Sequence, residues 1–168
     1  LIILYSTRIA GHQIKGAQVE RNIYSKRIQS DLLAAVKAKD KPTISTLRML
    51  LSALKNAELE EREELSEDLE LAVLSSYARR VKESIEEFTK GERNDLVEKE
   101  TAELKIVMRY LPEQLGEQEI EAEVKKVIAE VGAEGPRDIG RVMGEMMKRF
   151  KGRVDGKSVN RIVSELLK

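Results

Sequence analysis

From Tyr24 to Leu167 the apolar residues return every three or four positions, and no segment convincingly alternates apolar with polar. That period matches the 3.6-residue turn of an α-helix and gathers the apolar side chains on one face. A half-buried strand would need a period of two. The chain therefore has to bury its apolar surface by packing helix on helix. Composition points the same way. Charged residues make up 36% and aromatics 4%, with no Trp, a mixture that suits solvated helices better than a sandwich or barrel. The expected fold class is all-α.

Breakers divide the pattern into seven runs. The first spans about Tyr24 to Lys39, with Ile28, Leu32, Leu33 and Val36 on one face. Asp40-Lys41-Pro42 stops it, and Pro42 suits the first turn of the next helix, where its missing N–H costs nothing. The second run reaches Glu64 with a stripe of Ile44, Leu47, Leu50, Leu51, Leu54 and Leu59. Ser66 is placed to cap the third, with Glu67 and Asp68 at the positive end of its dipole. Leu69, Val73, Tyr77, Val81, Ile85 and Phe88 follow, and Gly91 is expected to end the helix in a left-handed conformation. Asn94 or Asp95 caps a fourth, running to Tyr110 with Leu96, Leu104, Val107 and Leu111 facing in.

Leu111–Gly116 reads as a linker, because the residue before Pro112 avoids the helical region. Three shorter helices follow. Their stripes are Ile120, Val124, Val127, Ile128 and Val131, stopped by Gly132; Ile139, Val142, Met143, Met146, Met147 and Phe150, stopped by Gly152; and Val159, Ile162, Val163, Leu166 and Leu167, capped by Asp155. The methionines are expected to fill core, and Gly140-x-x-x-Gly144 to form a close-packing face. The expected organisation is an antiparallel bundle of about four helices over residues 25–111 and a small three-helix domain over 112–168. Residues 1–24 form an extension. Within it, residues 1–18 read either as upstream sequence translated ahead of a start at Val19, since Lys15-Gly16-Ala17 can be encoded by a purine-rich ribosome-binding sequence, or as a loosely held segment. Little function is expected there.

Several chemistries are excluded by what the chain lacks. It has no cysteine, and its single histidine is His12. Disulfides, thiolate catalysis, Cys-based zinc sites and a His-based triad in the body of the protein are ruled out. Glu58, Glu61 and Glu64 lie at i, i+3 and i+6, but a di-iron bundle would pair such residues with histidines. Ser75-Ser76, four residues before Arg79-Arg80, has no glycine nearby to expose a nucleophile or build an oxyanion hole. No catalytic residue, metal ligand or cofactor is expected. The longest charge-free stretch, Leu71–Ala78, is 8 residues, far below the ~20 that cross a bilayer. A cytoplasmic protein without membrane association is expected.

Local charge is more informative than the formal total of zero. Residues 58–70 carry eight carboxylates and one arginine, a net of −7, while residues 135–168 carry a net of +5. Lys148, Arg149, Lys151, Arg153, Lys157 and Arg161 fall around one turn, with Gly152 and Gly156 flanking it. Glycines let backbone amides come close to a ligand, and the last helix points its positive dipole there. This elbow is a candidate phosphate-binding corner. The plainer reading is that Lys and Arg favour helix C-termini and exposed turns. The acidic corner of Glu60, Glu61, Glu63 and Glu64 is the alternative contact surface, for a protein partner.

Asp40–Leu54 (DKPTISTLRMLLSAL), Arg93–Leu115 (RNDLVEKETAELKIVMRYLPEQL) and Gly140–Leu166 (GRVMGEMMKRFKGRVDGKSVNRIVSEL) resemble the YqeY family over about Ser25 to Lys168. The last domain is also similar to the tail of the B subunit of the glutamyl/aspartyl-tRNA amidotransferase, hence the joint name GatB/YqeY. Gly116 departs from the usual Ser cap, which should weaken that helix start slightly. The resemblance implies a bundle joined to a tail that, in the amidotransferase, helps hold tRNA while the chemistry lies elsewhere. A carbon–nitrogen ligase label, with glutamine as amido-N-donor, would describe relatives rather than this chain.

Taken with the missing nucleophile and base, these features lead to an expected non-catalytic accessory protein of translation, contacting tRNA or structured RNA through the 148–161 elbow. Four or five phosphate contacts would give a log–log salt slope of about −3 to −4.5. The rivals are a protein-interaction adaptor and an amide-chemistry enzyme acting only with a partner. The RNA expectation depends on the elbow's cations being available rather than neutralised by the chain's own acids.

Overall fold

The computed structural model describes residues 21–168, so the expectations for residues 1–18 and for His12 lie outside the described residues. Seven α-helices follow in order: α1 Ile23–Ala38, α2 Lys41–Glu61, α3 Glu67–Lys90, α4 Asn94–Val107, α5 Glu117–Val131, α6 Ile139–Arg149 and α7 Gly156–Leu166, with short 3₁₀ turns at Met108–Tyr110 and Pro136–Asp138. The fold is all-α.

In the first group α1 and α4 each pack on α2 and α3, and α2 packs on α3; in the second, α5, α6 and α7 pack mutually. Each group has its own apolar core. Ile28, Leu47, Leu50, Leu54, Leu65, Leu74 and Val107 anchor the first. Val124, Val127, Val142, Met146, Val159 and Val163 anchor the second.

Local chemistry sets the boundaries. Asp40 accepts a hydrogen bond from the Thr43 amide at 3.2 Å and from its hydroxyl at 2.7 Å, capping α2. The Thr43 hydroxyl bond is the main reason the Asp40 carboxyl titrates below its ordinary range. Ser66 caps α3 and Asp155 caps α7, as the sequence suggests. Gly116 has no side chain to cap with, so α5 begins on half a capping box: the Gly116 amide donates to Glu119 Oε2 at 2.8 Å.

Other expectations need correction. Gly91 is not left-handed, with φ of −84°; the chain turns at Glu92, whose φ is +54°. Neither Asn94 nor Asp95 caps α4, because Asn94 is already helical and Asp95 is held by Arg93 at 2.7 Å. α2 stops at Glu61, where Arg62 takes a left-handed conformation, so Leu65 can fold back as core at 1% exposure. Gly140 and Gly144 pack nothing closely: a Cβ at either would meet no atom within 4 Å.

Two tyrosines tie the bundle together. The Tyr77 hydroxyl donates to Glu103 at 2.6 Å across α3 and α4, and Tyr110 donates to Asp31 of α1 at 2.6 Å. Burial, reinforced by the carboxylate partner, pushes both phenols well above their ordinary titration range. Arg27 lies over the Tyr110 ring and Arg80 over Tyr77, at 5.1 and 5.4 Å from the centroids.

Candidate functional site

The elbow between α6 and α7 forms as the glycine spacing suggests. Gly152 adopts φ of +71°, the left-handed region that a glycine enters without strain. Its carbonyl accepts from Gln114 Nε2 at 2.5 Å, and the Arg153 carbonyl accepts from the Leu115 amide at 2.9 Å. Arg153 Nε donates to the Glu113 carbonyl at 3.1 Å. The segment that reads as a linker is therefore stitched along the elbow.

The six cations do converge on this corner, but they are largely committed to the chain's own acids. Arg149 bridges Glu130 of α5 at 2.5 Å and Glu145 of α6 at 2.6 Å. Lys151 reaches Asp68 of α3 at 2.7 Å, and Lys157 reaches Glu86 of α3 at 3.0 Å. Arg161 pairs with Glu117 at the start of α5 and, more loosely, with Glu165. Hydrogen bonds donated to these carboxylates stabilise the charged forms and raise the titration of Arg149 and Arg161. Lys148 and Arg153 make no ion pair among the described residues; Lys148 is exposed and Arg153 serves the backbone. The local excess of positive charge that the sequence suggests is thus cancelled in space. Acids from α3 and α5 supply the balance.

The acidic corner is only partly solvated. Glu63 pairs with Arg21 at 3.1 Å, and Arg21 also donates to the Glu64 carbonyl. Glu60 and Glu61 are exposed without a cation within reach among the described residues. Glu70, read as part of the same block, is 0% exposed and buried in the bundle.

A different surface stands out, at the turn between α1 and α2. Leu33, Val36 and Met49 are 66%, 46% and 54% exposed. Val36, Ile44 and Met49 line one groove there, with Lys41 and Arg48 on its edge. Lys37, Lys39, Lys41, Arg48 and Arg109 make no ion pair among the described residues, and Arg109 lies close enough to Asp40 to depress its titration slightly. Unlike the elbow, this corner keeps its positive charge. A signal for it exists in the sequence. Leu33 lies about 140° around the helix from Ile28, and the α1 face that packs inward carries Ile28 and Ala35. The apolar stripe of α1 is too wide for one buried face.

Comparison with known proteins fits the fold. The family described as Yqey-like protein matches residues 25–167. The proteins named Altered inheritance of mitochondria protein 41, mitochondrial, are similar. That of Lachancea thermotolerans is 41% identical over 88 residues, covering 50% of this chain and 46% of the relative. That of Pyrenophora tritici-repentis is 31% identical over 118 residues, covering 69% of this chain and 65% of the relative. That of Kluyveromyces lactis is 39% identical over 84 residues, covering 49% of this chain and 45% of the relative. The aligned part spans about half to two thirds of these relatives. Their names are mitochondrial, which overturns the expectation of a cytoplasmic protein. With nearly all of its helical sequence inside the match, the chain belongs to the YqeY-like family.

Proposed function

We propose that this chain is a non-catalytic accessory protein that docks an acidic amphipathic helix of a protein partner in the α1–α2 groove. One observation carries this reading: Leu33 and Val36 of α1 and Met49 of α2 are exposed to water, beside Lys37, Lys41 and Arg48, which have no carboxylate partner among the described residues. An incoming helix with an apolar stripe and acidic flanks would bury the first set and pair with the second. The missing cysteine, and the missing histidine anywhere in residues 21–168, support the non-catalytic part. The names of the relatives make the mitochondrion the place to seek such a partner.

A photocrosslinking residue at Met49 of the full chain should capture the partner, and a control at exposed Lys126 should not. The purified partner should then bind the double variant Val36→Asp, Met49→Asp at least tenfold more weakly, because apolar anchors at a groove centre carry most of the binding energy. Both side chains are surface-exposed, so the variant's stability should change by less than about 0.5 kcal/mol. Undiminished affinity, or crosslinks only to a second copy of the chain, would remove this reading.

RNA contact at the tail, in a translation-related role, is the second reading. It is favoured by the exposure of the ion pairs that Lys151, Lys157 and Arg161 make, since exposed pairs add little and can be exchanged for phosphate. The pairing changes the expected numbers. Carboxylates freed on binding take up cations as the phosphates lose theirs, so the salt slope should flatten to about −1 to −2, as for two free contacts. Lys151→Glu with Arg153→Glu should lower affinity for a tRNA hairpin at least tenfold at low salt. An unchanged affinity would exclude the elbow.

A further inference from the structure

A cleft of about 350 Å³ lies between α3 and the elbow of the tail. Its apolar wall includes Ala78, Leu111 and Val154, and its polar side carries Ser75, Arg79, Lys82 and Lys151 together with one carboxylate, Asp155, which is already engaged as the α7 cap. Ser75, Arg79 and Lys82 stand at i, i+4 and i+7, and so share one face of α3. Gly156, the first residue of α7, also lines it. The α7 cap uses the Ser158 amide, so the Gly156 and Lys157 amides remain turned out at the positive end of the helix.

Two further details point to a ligand. Ser75 Oγ is buried and has no hydrogen-bond partner, the one such side-chain atom among the described residues. Buried hydroxyls are normally satisfied, and an orphan calls for an explanation. Lys82 makes no ion pair among the described residues, and Arg79 reaches Glu83 only at 3.9 Å. Ser75, two weakly committed cations and the Asp155-capped N-terminus of α7 therefore line one apolar-walled space.

We infer that this cleft binds a small phosphate monoester with an apolar or aromatic body. The volume falls in the range of small-molecule pockets, about 300–1,000 Å³. A dianionic head would take Arg79 and Lys82 as charge partners, accept the Ser75 hydroxyl proton in a hydrogen bond, and face the α7 amides. The body would lie on Leu111 and Val154. Lys151 contributes less, because Asp68 already holds it. This inference does not depend on the docking groove or on RNA contact.

The test uses the isotope-labelled full chain and three probes: phenyl phosphate, inorganic phosphate and benzyl alcohol. Phenyl phosphate should bind at least tenfold more tightly than either fragment, shifting the amide signals of Ser75, Gly152, Gly156 and Lys157. Lys82→Glu should weaken it at least tenfold. Ser75→Ala should weaken it several-fold while leaving the thermal midpoint unchanged, since an unpartnered hydroxyl gives the fold nothing to lose. Absence of binding at millimolar phenyl phosphate would overturn the inference, as would binding indifferent to both substitutions. Should an RNA hairpin displace the probe and bind the same residues more tightly, the cleft belongs to nucleic acid and the small-molecule assignment fails. Ser75→Ala keeps the test decisive even if Lys82→Glu disturbs folding.

Discussion

Gly152→Ala is expected to lift the tail off the bundle while leaving each core folded. At this position a Cβ would stand 2.8–2.9 Å from Cγ, Cδ1 and Cδ2 of Leu71, inside van der Waals contact. Leu71 is 8% exposed on α3 and has little room to retreat. The substitution also forces a side-chain-bearing residue to φ of +71°, which costs about 1–2 kcal/mol. Overpacking adds about 1–3 kcal/mol. Neither helical core contains this contact, so the cost falls on the docking of one on the other.

The chain has no cysteine, so spin labels on cysteines introduced at the exposed positions Glu83 and Asn160 would be unique. The inter-label distance distribution should broaden and lengthen in Gly152→Ala. Adding Leu71→Ala removes the clash but not the backbone strain, and should restore part of the narrow distribution. An unaltered distribution in the single variant would mean that docking does not pass through Gly152.

This contact also shows where sequence reading stops. The helices were legible because period and breakers are local: Ser66, Asp155, Pro42 and Gly132 act within a turn of themselves. Gly152 reads as a stop, and it is one, but the reason it has to be glycine is Leu71, on another helix. The same holds for charge. A local sum makes the elbow strongly positive, yet Asp68 and Glu86 answer Lys151 and Lys157 from α3. Carboxylates remote in sequence do not enter a window that slides along the chain. The α1–α2 groove was half legible. Leu33 and Val36 keep the helical spacing of core residues, but a four-helix bundle buries a narrower stripe than α1 carries. The cleft between α3 and the tail had no local signature at all, since Ser75 and Gly156 meet only after the two halves dock.

Glu70→Ala should be the most damaging substitution among the acids of residues 58–70. The first amides of a helix lack intrahelical partners, and the residue before α1, Asn22, provides no side-chain cap. Glu70 supplies one from α3. Its carboxylate accepts from the Tyr24 amide at 3.0 Å, the Ser25 amide at 2.7 Å and the Ser25 hydroxyl at 2.7 Å, at 0% exposure. Hydrogen bonds to a charged group contribute about 1.5–3 kcal/mol each, and the positive end of the α1 dipole favours the charge. Because the three bonds share one acceptor group they will not add fully. Removal leaves two amides and a hydroxyl without their acceptor, at about 1–3 kcal/mol for each donor that stays unsatisfied, so it should cost roughly 3–5 kcal/mol, a large part of the ~5–15 kcal/mol that holds a typical domain. Glu70→Gln keeps the shape but turns an N–H group toward one of the donors, and about half of that loss is expected. Glu60→Ala and Glu61→Ala, exposed on the same stretch, should stay within about 0.5 kcal/mol of the parent. Urea unfolding midpoints would rank the four variants, and hydrogen exchange at Tyr24 and Ser25 should accelerate in Glu70→Ala. A loss below about 1 kcal/mol, with those two amides still protected, would mean that α1 is held by its apolar face alone.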